Sequence, residues 1–408
     1  MKKLSLALLL CFCMAFVFAA DYVISNQVLV STDDFSVTIV GPSDDPYDSG
    51  FKILVENKSS KELNFQIGEG SIGDVSIGLS FYVDVQPGKK AVDVMSIGDQ
   101  YFGFWGIEQI DELSFKLSVI DSAMWFFGGS VYENYFTIYP TGLSAETAPA
   151  IDISFLDKGD VALDNDDFKL ILFYGDEYGD YFGPGFMAVC QNKTDKSLLI
   201  SFEDVTIDGA SFDSYWANVI PSGKYGFYTM TFERDDMASW GITELDEVSF
   251  TLSATEMGLW YADELCGERI TVYPTGLPAG SVKPVSYIFD PNDVVLVDND
   301  DVLVVLLRSR SYMDSFWGEF KIPVYVENRR DSSINVSWDD VSVNDYMLDP
   351  YFGATVQPGR VKIESATFGS YSLGNASIKE VKTVEFALRV MDDEYWDNLF
   401  EDSYKVEF

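Results

Sequence analysis

Short runs of alternating or continuous apolar residues recur along the chain after residue 20. Typical runs, rich in Val, Ile, Phe, Tyr and Thr, are KLILFY at 169–174, FMAVC at 186–190 and EVSFTLSA at 247–254. These residue types suit the half-buried surface of a pleated sheet. The pattern predicts an all-β protein.

Turn-forming residues separate these runs. In QPG at 86–88 and 357–359, Pro sets the first central turn position and Gly supplies the positive φ that a type II turn needs next. We expect short helical turns only around 99–107, 235–242 and 370–378.

The same pattern occurs three times at nearly constant spacing. Matching segments are FKILVENKSSKELN at 51–64, FMAVCQNKTDKSLL at 186–199 and IPVYVENRRDSSIN at 322–335, which place Asn57, Asn192 and Asn328 in register. The distance from one of these asparagines to the next is the size of a domain rather than of a solenoid unit. We therefore predict three tandem domains at 21–145, 146–280 and 281–408, named here repeats 1, 2 and 3.

Each repeat is expected to contain seven to nine short strands, separated by turns at intervals of about 8–12 residues. This number of strands in a segment of this length fits an immunoglobulin-like β-sandwich, with a small barrel as the alternative. The fold class predicted is therefore three tandem immunoglobulin-like β-sandwich domains.

The segment 1–20 has the pattern of a signal peptide. Lys2 and Lys3 precede an apolar run at 4–18, and Ala19-Ala20 come before Asp21. The run is shorter than the roughly 20 residues that a membrane-spanning helix needs, and no later stretch is long and apolar enough. We predict a secreted or cell-envelope protein without a membrane span in its mature chain.

The amino-acid composition excludes several classes of function. The chain has 66 acidic and 27 basic residues, a net charge of −39 and no histidine. Such a polyanion lacks the basic surface that nucleic acid requires, so we expect no nucleic-acid partner. Without histidine there is no Ser-His-Asp or Cys-His nucleophile system and no His-ligated zinc. The 47% of apolar residues argues against disorder.

Repeat 3 resembles a known group of proteins. Its segments DVSVNDYMLDPYFGATVQPGR at 340–360, SIKEVKTVEF at 377–386 and MDDEYWDNLF at 391–400 are similar to an uncharacterised repeat domain of secreted Gram-positive bacterial proteins. The resemblance implies an extracellular immunoglobulin-like module. It implies no activity and transfers no site residue.

Acidic turns are the first candidate site. DNDD occurs at 164–167 and 298–301, and TDD at 32–34 takes the same place in repeat 1. Oxygen-rich turns suit Ca²⁺, for which the ligands would be Asp164, Asn165, Asp166, Asp298, Asn299 and Asp300. Asn and Asp are also favoured in ordinary hairpin turns, and EF-hand spacing is absent. We favour solvated turns over calcium sites.

Carboxylates, cysteines and aromatic residues supply the other candidates. Asp121, Glu256 and Asp392 recur in register, which indicates a role in the fold rather than one active site, and we predict no enzyme. Export permits a disulfide between Cys190 and Cys266, and two buried thiols fit equally well.

Trp216 and Trp317 do not recur, and we predict that they bind a ligand through exposed rings. The expected function is therefore an exported, non-enzymatic binding or structural protein. Its partner would be an extracellular protein or glycan. The alternatives are a carbohydrate-binding protein that uses exposed aromatics and a calcium-stiffened spacer.

Overall fold

The chain folds almost entirely as β-sheet. A computed structural model describes residues 22–44, 50–98, 102–127, 130–175, 184–212, 216–257, 265–393 and 397–408; the side chains of 125–127 and 216 are not described. The predicted signal peptide at 1–20 lies outside these residues.

Within the described residues, repeats 1 and 2 each contain nine strands and one short α-helix. Repeat 1 has β1 (Gln27–Ser31), β2 (Phe35–Pro42), β3 (Gly50–Asn57), β4 (Leu63–Ile72), β5 (Val75–Ile77), β6 (Leu79–Val85), β7 (Lys90–Ile97), α1 (Phe102–Trp105), β8 (Leu113–Asp121), a 3₁₀ turn (Ser122–Phe127) and β9 (Ser130–Ile138). Repeat 2 has a 3₁₀ turn (Ser154–Lys158), β10 (Asp160–Asp164), β11 (Phe168–Tyr174), β12 (Gly185–Asn192), β13 (Leu198–Ile207), β14 (Ala210–Ser211), β15 (Trp216–Ile220), β16 (Tyr225–Thr231), α2 (Arg234–Trp240), β17 (Val248–Glu256) and β18 (Cys266–Val272).

Repeat 3 follows the same order of elements with one additional short strand. It has β19 (Val294–Asp298), β20 (Val302–Leu306), a 3₁₀ turn (Arg308–Arg310), β21 (Tyr312–Met313), β22 (Phe320–Asn328), β23 (Ile334–Val343), β24 (Tyr346–Met347), β25 (Gly353–Val356), β26 (Val361–Phe368), α3 (Ser370–Asn375), β27 (Thr383–Asp392) and β28 (Asn398–Glu407). The three helices lie where the sequence predicts helical turns.

The strands form the facing sheets of a sandwich. In repeat 3, β19, β20, β22 and β26 form one sheet, and β23 with β25, β27 and β28 forms the other. Alternate residues face the core, as in β8, where Leu113, Phe115, Leu117 and Val119 are fully buried. The buried apolar residues fall into three clusters, centred on repeats 1, 2 and 3. The all-β, sandwich-type fold is confirmed, whereas the domain boundaries stay a prediction.

The predicted turns are present. Gly88, Gly223 and Gly359 have φ values of 69°, 74° and 65°. The residue after each glycine donates its backbone N–H across the turn, as Lys89 does to the carbonyl of Gln86 at 3.1 Å. This geometry is that of a type II turn, which requires glycine at its third position.

A buried asparagine fastens each sandwich at the end of a central strand. Asn57, Asn192 and Asn328 are at most 1% exposed. Each side-chain amide donates to two backbone carbonyls, for Asn192 those of Lys196 at 2.7 Å and Ile220 at 2.8 Å. The recurring Asn of the sequence pattern therefore joins a loop to a neighbouring strand.

Successive repeats dock through their sheets. β5 of repeat 1 pairs in parallel with β16 of repeat 2 at Val75 and Tyr225, and β14 of repeat 2 pairs in the same way with β26 of repeat 3. At the first junction, Phe227 stacks on Phe104 with ring centroids 4.2 Å apart. Buried residues of repeat 2, among them Phe227, thus belong to the cluster centred on repeat 1.

None of the helices in the described part of the chain has the length and apolar character needed to cross a membrane.

Candidate binding surface

The acidic turns of repeats 2 and 3 are hairpins closed by their central asparagine. The side-chain oxygen of Asn165 accepts the backbone N–H groups of Asp167 at 3.0 Å and Phe168 at 2.8 Å. Asn299 repeats this arrangement with Asp301 and Val302, each at 2.9 Å. The asparagine oxygens proposed as calcium ligands are therefore engaged in the turn itself.

A basic side chain from the neighbouring loop lies over each acidic turn. The Lys193 ammonium donates to a carboxylate oxygen of Asp164 and to the backbone carbonyl of Asn165, both at 2.5 Å. This contact holds the pKa of Asp164 below its usual value. In repeat 3, Arg329 makes the same two contacts, to Asp298 at 2.7 Å and Asn299 at 2.6 Å.

These basic groups pair with Asp164 and Asp298, two of the proposed calcium ligands. The other two acidic candidates, Asp166 and Asp300, are exposed. Among the residues that the structure describes, no group of three or more acidic or cysteine side chains is arranged to hold a metal ion. Calcium binding at these turns stays the less favoured alternative to a solvated turn.

The recurring carboxylates each face a basic residue rather than one another. Asp121 lies 2.6 Å from the ammonium of Lys61, and Glu256 lies 2.5 Å from that of Lys196. In repeat 3, Asp392 accepts from Ser332 at 2.7 Å and lies 3.4 Å from Arg330. The hydrogen bond from Lys61 holds the pKa of Asp121 below its usual value. Within each repeat, these contacts join the loop before β4, β13 or β23 to the end of β8, β17 or β27.

The two cysteines belong to the core of repeat 2. Cys190 on β12 is 2% exposed, and Cys266 begins β18 and packs partly against the same cluster. In the structure both are thiols. Burial raises the pKa of Cys190 to about 12.

Trp317 lies on a tight loop between β21 and β22. Asp314 closes this loop, because its carboxylate accepts the backbone N–H groups of Phe316 at 2.7 Å and Trp317 at 2.8 Å. These hydrogen bonds lower the pKa of Asp314. The loop displays two rings in edge-to-face contact, with Phe316 82% and Trp317 65% exposed. Trp216 begins β15, but its side chain lies outside the described residues.

Three further exposed aromatic residues of repeat 3 lie on segments next to the strands or helix near the Trp317 loop. Across four adjacent segments of one sheet, the register pairs Tyr312 with Lys321, Lys321 with Thr367, and Thr367 with Tyr351. The side chains of these residues therefore share the outer face of the sheet. With strands about 4.8 Å apart, Tyr312 and Tyr351 are separated by about 14 Å. Tyr371 follows Ser370, a residue close to Gly318 of the Trp317 loop. We call Tyr312, Phe316, Trp317, Tyr351 and Tyr371 the repeat-3 aromatic patch.

The side chains of this patch are exposed, whereas the aromatic side chains of the cores are buried. Tyr351 is 84% exposed, Tyr371 81% and Tyr312 45%. Aromatic residues that recur in all three repeats are expected in the cores. Trp317 does not recur, and for that reason the sequence predicted that its ring is exposed. It did not indicate Tyr351 and Tyr371, because the segments that carry them are far from Trp317 in the sequence and come near its loop only in the folded repeat.

Comparisons with known proteins identify no family. No protein-family model matches the chain, and no curated protein matches it. Among solved structures, a protein of unknown function from Porphyromonas gingivalis W83 is similar over 59% of this chain and 92% of its own length, at 10% identity and a TM-score of 0.16.

Two enzymes show similarities of the same extent. Red sea bream transglutaminase matches over 60% of this chain and 31% of its own length, at 10% identity and a TM-score of 0.18. An exo-chitosanase from Amycolatopsis orientalis matches over 59% and 26%, at 11% identity and a TM-score of 0.17. The chain thus spans less than a third of either enzyme's length. These similarities assign neither a family nor an activity to it.

Proposed function

We propose that this chain is an exported, non-catalytic binding protein whose repeat-3 aromatic patch attaches it to a protein outside the cell. The observation that carries this proposal is the exposure of five aromatic rings in repeat 3, on one sheet face and on the loop and helix next to it. Exposed Trp, Tyr and Phe side chains supply large contact areas at little entropic cost, and they dominate binding energies at protein interfaces.

The loop geometry supports a recognition role. Asp314 fixes the backbone that carries Phe316 and Trp317, so little conformational entropy remains to be lost when the rings are covered. The net charge of −39 favours a partner with a basic surface, since opposite charges accelerate encounter.

A glycan is the second candidate, and the row from Tyr312 to Tyr351 favours it. Two tyrosines about 14 Å apart on one flat sheet face provide separated platforms for an extended chain. Binding of a neutral polysaccharide would depend little on salt, whereas binding of a basic protein would weaken as salt increases.

The experiment compares the full chain with a Phe316→Ala/Trp317→Ala variant on immobilised polysaccharides and on extracellular proteins. Tyr82→Ala is the matched control, because Tyr82 is a 53% exposed aromatic residue in repeat 1. We expect the double variant to bind at least about tenfold more weakly and the control to bind normally. Equal binding by all three proteins would exclude the patch as the recognition surface.

A further inference from the structure

The two junctions between repeats are built in the same way. At each junction, a short strand that follows a hairpin turn lies between two longer strands, β5 between β4 and β16 and β14 between β13 and β26. Val75 of β5 pairs in parallel with Tyr225 of the following repeat. Ala210 of β14 pairs in the same way with Val361. Backbone pairing therefore carries both contacts.

Repeat 3 has the same hairpin at the edge of its sheet. Val343 pairs with Tyr346 in the register of the other two hairpins. β24 is the last strand of its sheet in the described part of the chain. Tyr346 is 55% and Met347 70% exposed, whereas Val75, which takes the place of Tyr346 in repeat 1, is fully buried. The hairpin of repeat 3 is built like the two docked hairpins but is open to solvent.

Repeat 1 has the complementary surface at the beginning of β7. Lys90 lies two residues after the turn glycine, the position of Tyr225 and Val361 in the other repeats. Within the described residues, β6 pairs only with the last two residues of β7, so the first residues of β7 have an open edge. At the first junction, the matching N–H of Tyr225 donates to the carbonyl of Asp74 at 2.9 Å. An open strand edge is a template for another strand.

Apolar side chains next to this edge are open in repeat 1 and covered in repeat 2. Phe227, four residues after the turn glycine, is 6% exposed because it packs on repeat 1, whereas the matching Val92 is 59% exposed. Val189, three residues before the buried asparagine, is fully buried. The matching Leu54 is half-buried and belongs to none of the three apolar clusters.

A charge pair of the first junction can form between the two open surfaces. At that junction, the Lys224 ammonium donates to the carbonyl of Gly73 at 2.7 Å and lies 3.7 Å from the carboxylate of Asp74. Lys89 takes the place of Lys224 in repeat 1, and Asp345 takes the place of Asp74 in repeat 3. Both side chains are exposed. Opposite charges therefore meet if these surfaces dock as repeats 1 and 2 do.

We infer that the hairpin of repeat 3 at 343–347 docks on the beginning of β7 at 89–92 in a second copy of this chain. The contact continues the row of repeats from one molecule into the next. Tyr346 takes the place of Val75, and Lys90 takes that of Tyr225. Such a head-to-tail contact uses two different surfaces and leaves one of each free at the ends, so it produces open rows rather than a symmetric dimer.

Sedimentation velocity of the mature chain tests this contact. The measurement is made at physiological ionic strength, where a Debye length of about 8 Å limits repulsion between the acidic copies. We expect the average mass to rise with concentration through dimers to longer species. The mass of a single chain at every concentration up to the high micromolar range would overturn the inference.

Two blocked variants show which surfaces meet. Val92→Glu and Tyr346→Arg each put an unpaired charge into the contact, the second one close to Lys89, so each variant alone should stay a monomer. A mixture of the two should form dimers and nothing longer, because each variant keeps the surface that the other has lost. Association of either variant alone at native strength, or a mixture that stays monomeric, would refute the head-to-tail contact.

Two further variants separate this contact from a general effect of charge. Val131→Glu is the matched control, because Val131 is a 54% exposed valine on β9, which pairs with β8. It should associate like the native chain, and a loss equal to that of Val92→Glu would refute the site. Lys90→Tyr introduces the residue type that repeat 2 has at this position and should tighten association about tenfold. Unchanged or weaker association of Lys90→Tyr would contradict the role of β7.

Discussion

Replacement of Asn192 by alanine tests how the repeated asparagine holds each sandwich. The Asn192 amide donates to the carbonyls of Lys196 and Ile220, and its oxygen accepts from the backbone N–H of Thr194 at 3.0 Å and its hydroxyl at 2.7 Å. Asn192→Ala removes all four hydrogen bonds. The carbonyl of Ile220 would then remain buried without this donor.

The expected cost follows from these contacts. An unsatisfied buried carbonyl costs about 1–3 kcal/mol, and each of the other hydrogen bonds contributes about 0.5–1.5 kcal/mol, part of which water replaces at the loop. We expect Asn192→Ala to lower the free energy of unfolding of repeat 2 by about 3–5 kcal/mol. Asn192→Asp should cost at least as much at pH 7, because a carboxylate would face two carbonyl oxygens.

The assay is urea unfolding of the full chain, followed by circular dichroism and by hydrogen exchange of the peptides covering 192–198 and 216–222. Hydrogen exchange of these peptides assigns the change in stability to repeat 2. Circular dichroism follows the unfolding of all three repeats together and does not make that assignment. Asn335→Ala is the control, since Asn335 makes a weaker, exposed contact to Thr355 at 3.2 Å. A loss below about 1 kcal/mol for Asn192→Ala would refute the reasoning.

Three other features give predictions that can be checked together. If the acidic turn of repeat 2 holds Ca²⁺, the ion should raise the melting temperature of Lys193→Ala more than that of the native chain, because the variant removes the ammonium that pairs with Asp164; a solvated turn, which we favour, predicts no difference between the two. Iodoacetamide should modify Cys190 in the native chain far more slowly than in urea, because the thiol is buried with a pKa of about 12; equal rates by mass spectrometry would contradict this. The Lys61 contact lowers the pKa of Asp121, so its stabilisation is present above the unfolded carboxylate pKa of about 3.9 and is lost as the pH falls further. Asp121→Asn should therefore reduce the loss of melting temperature between pH 5 and pH 3, and an unchanged loss would contradict the assignment.

Local chemistry made much of the fold predictable. Alternating apolar runs and the glycine of the QPG turns act through neighbours close in sequence. The three short helices were likewise predicted from local pattern. The all-β sandwich followed from strand length and turn spacing.

The unpredicted features depend on contacts between distant segments. The sequence gave no sign that Lys193 reaches back over the acidic turn to Asn165, 28 residues away. Likewise, Val75 of β5 pairs in parallel with Tyr225 of β16. No sequence pattern near either residue indicates that these two strands pair.

The burial of the repeated asparagine has a consequence for producing this protein in eukaryotic cells. Asn57-Lys58-Ser59 and Asn192-Lys193-Thr194 match the acceptor sequence for N-glycosylation, whose target is the side-chain amide nitrogen. In the folded repeats that nitrogen is enclosed and donates to two carbonyls. A sugar attached during synthesis would keep repeats 1 and 2 from closing. In repeat 3 the buried Asn328 is followed by Arg329-Arg330 and is no acceptor; the acceptor sequences of that repeat begin at Asn335 and Asn375 instead. A bacterial expression host avoids the conflict.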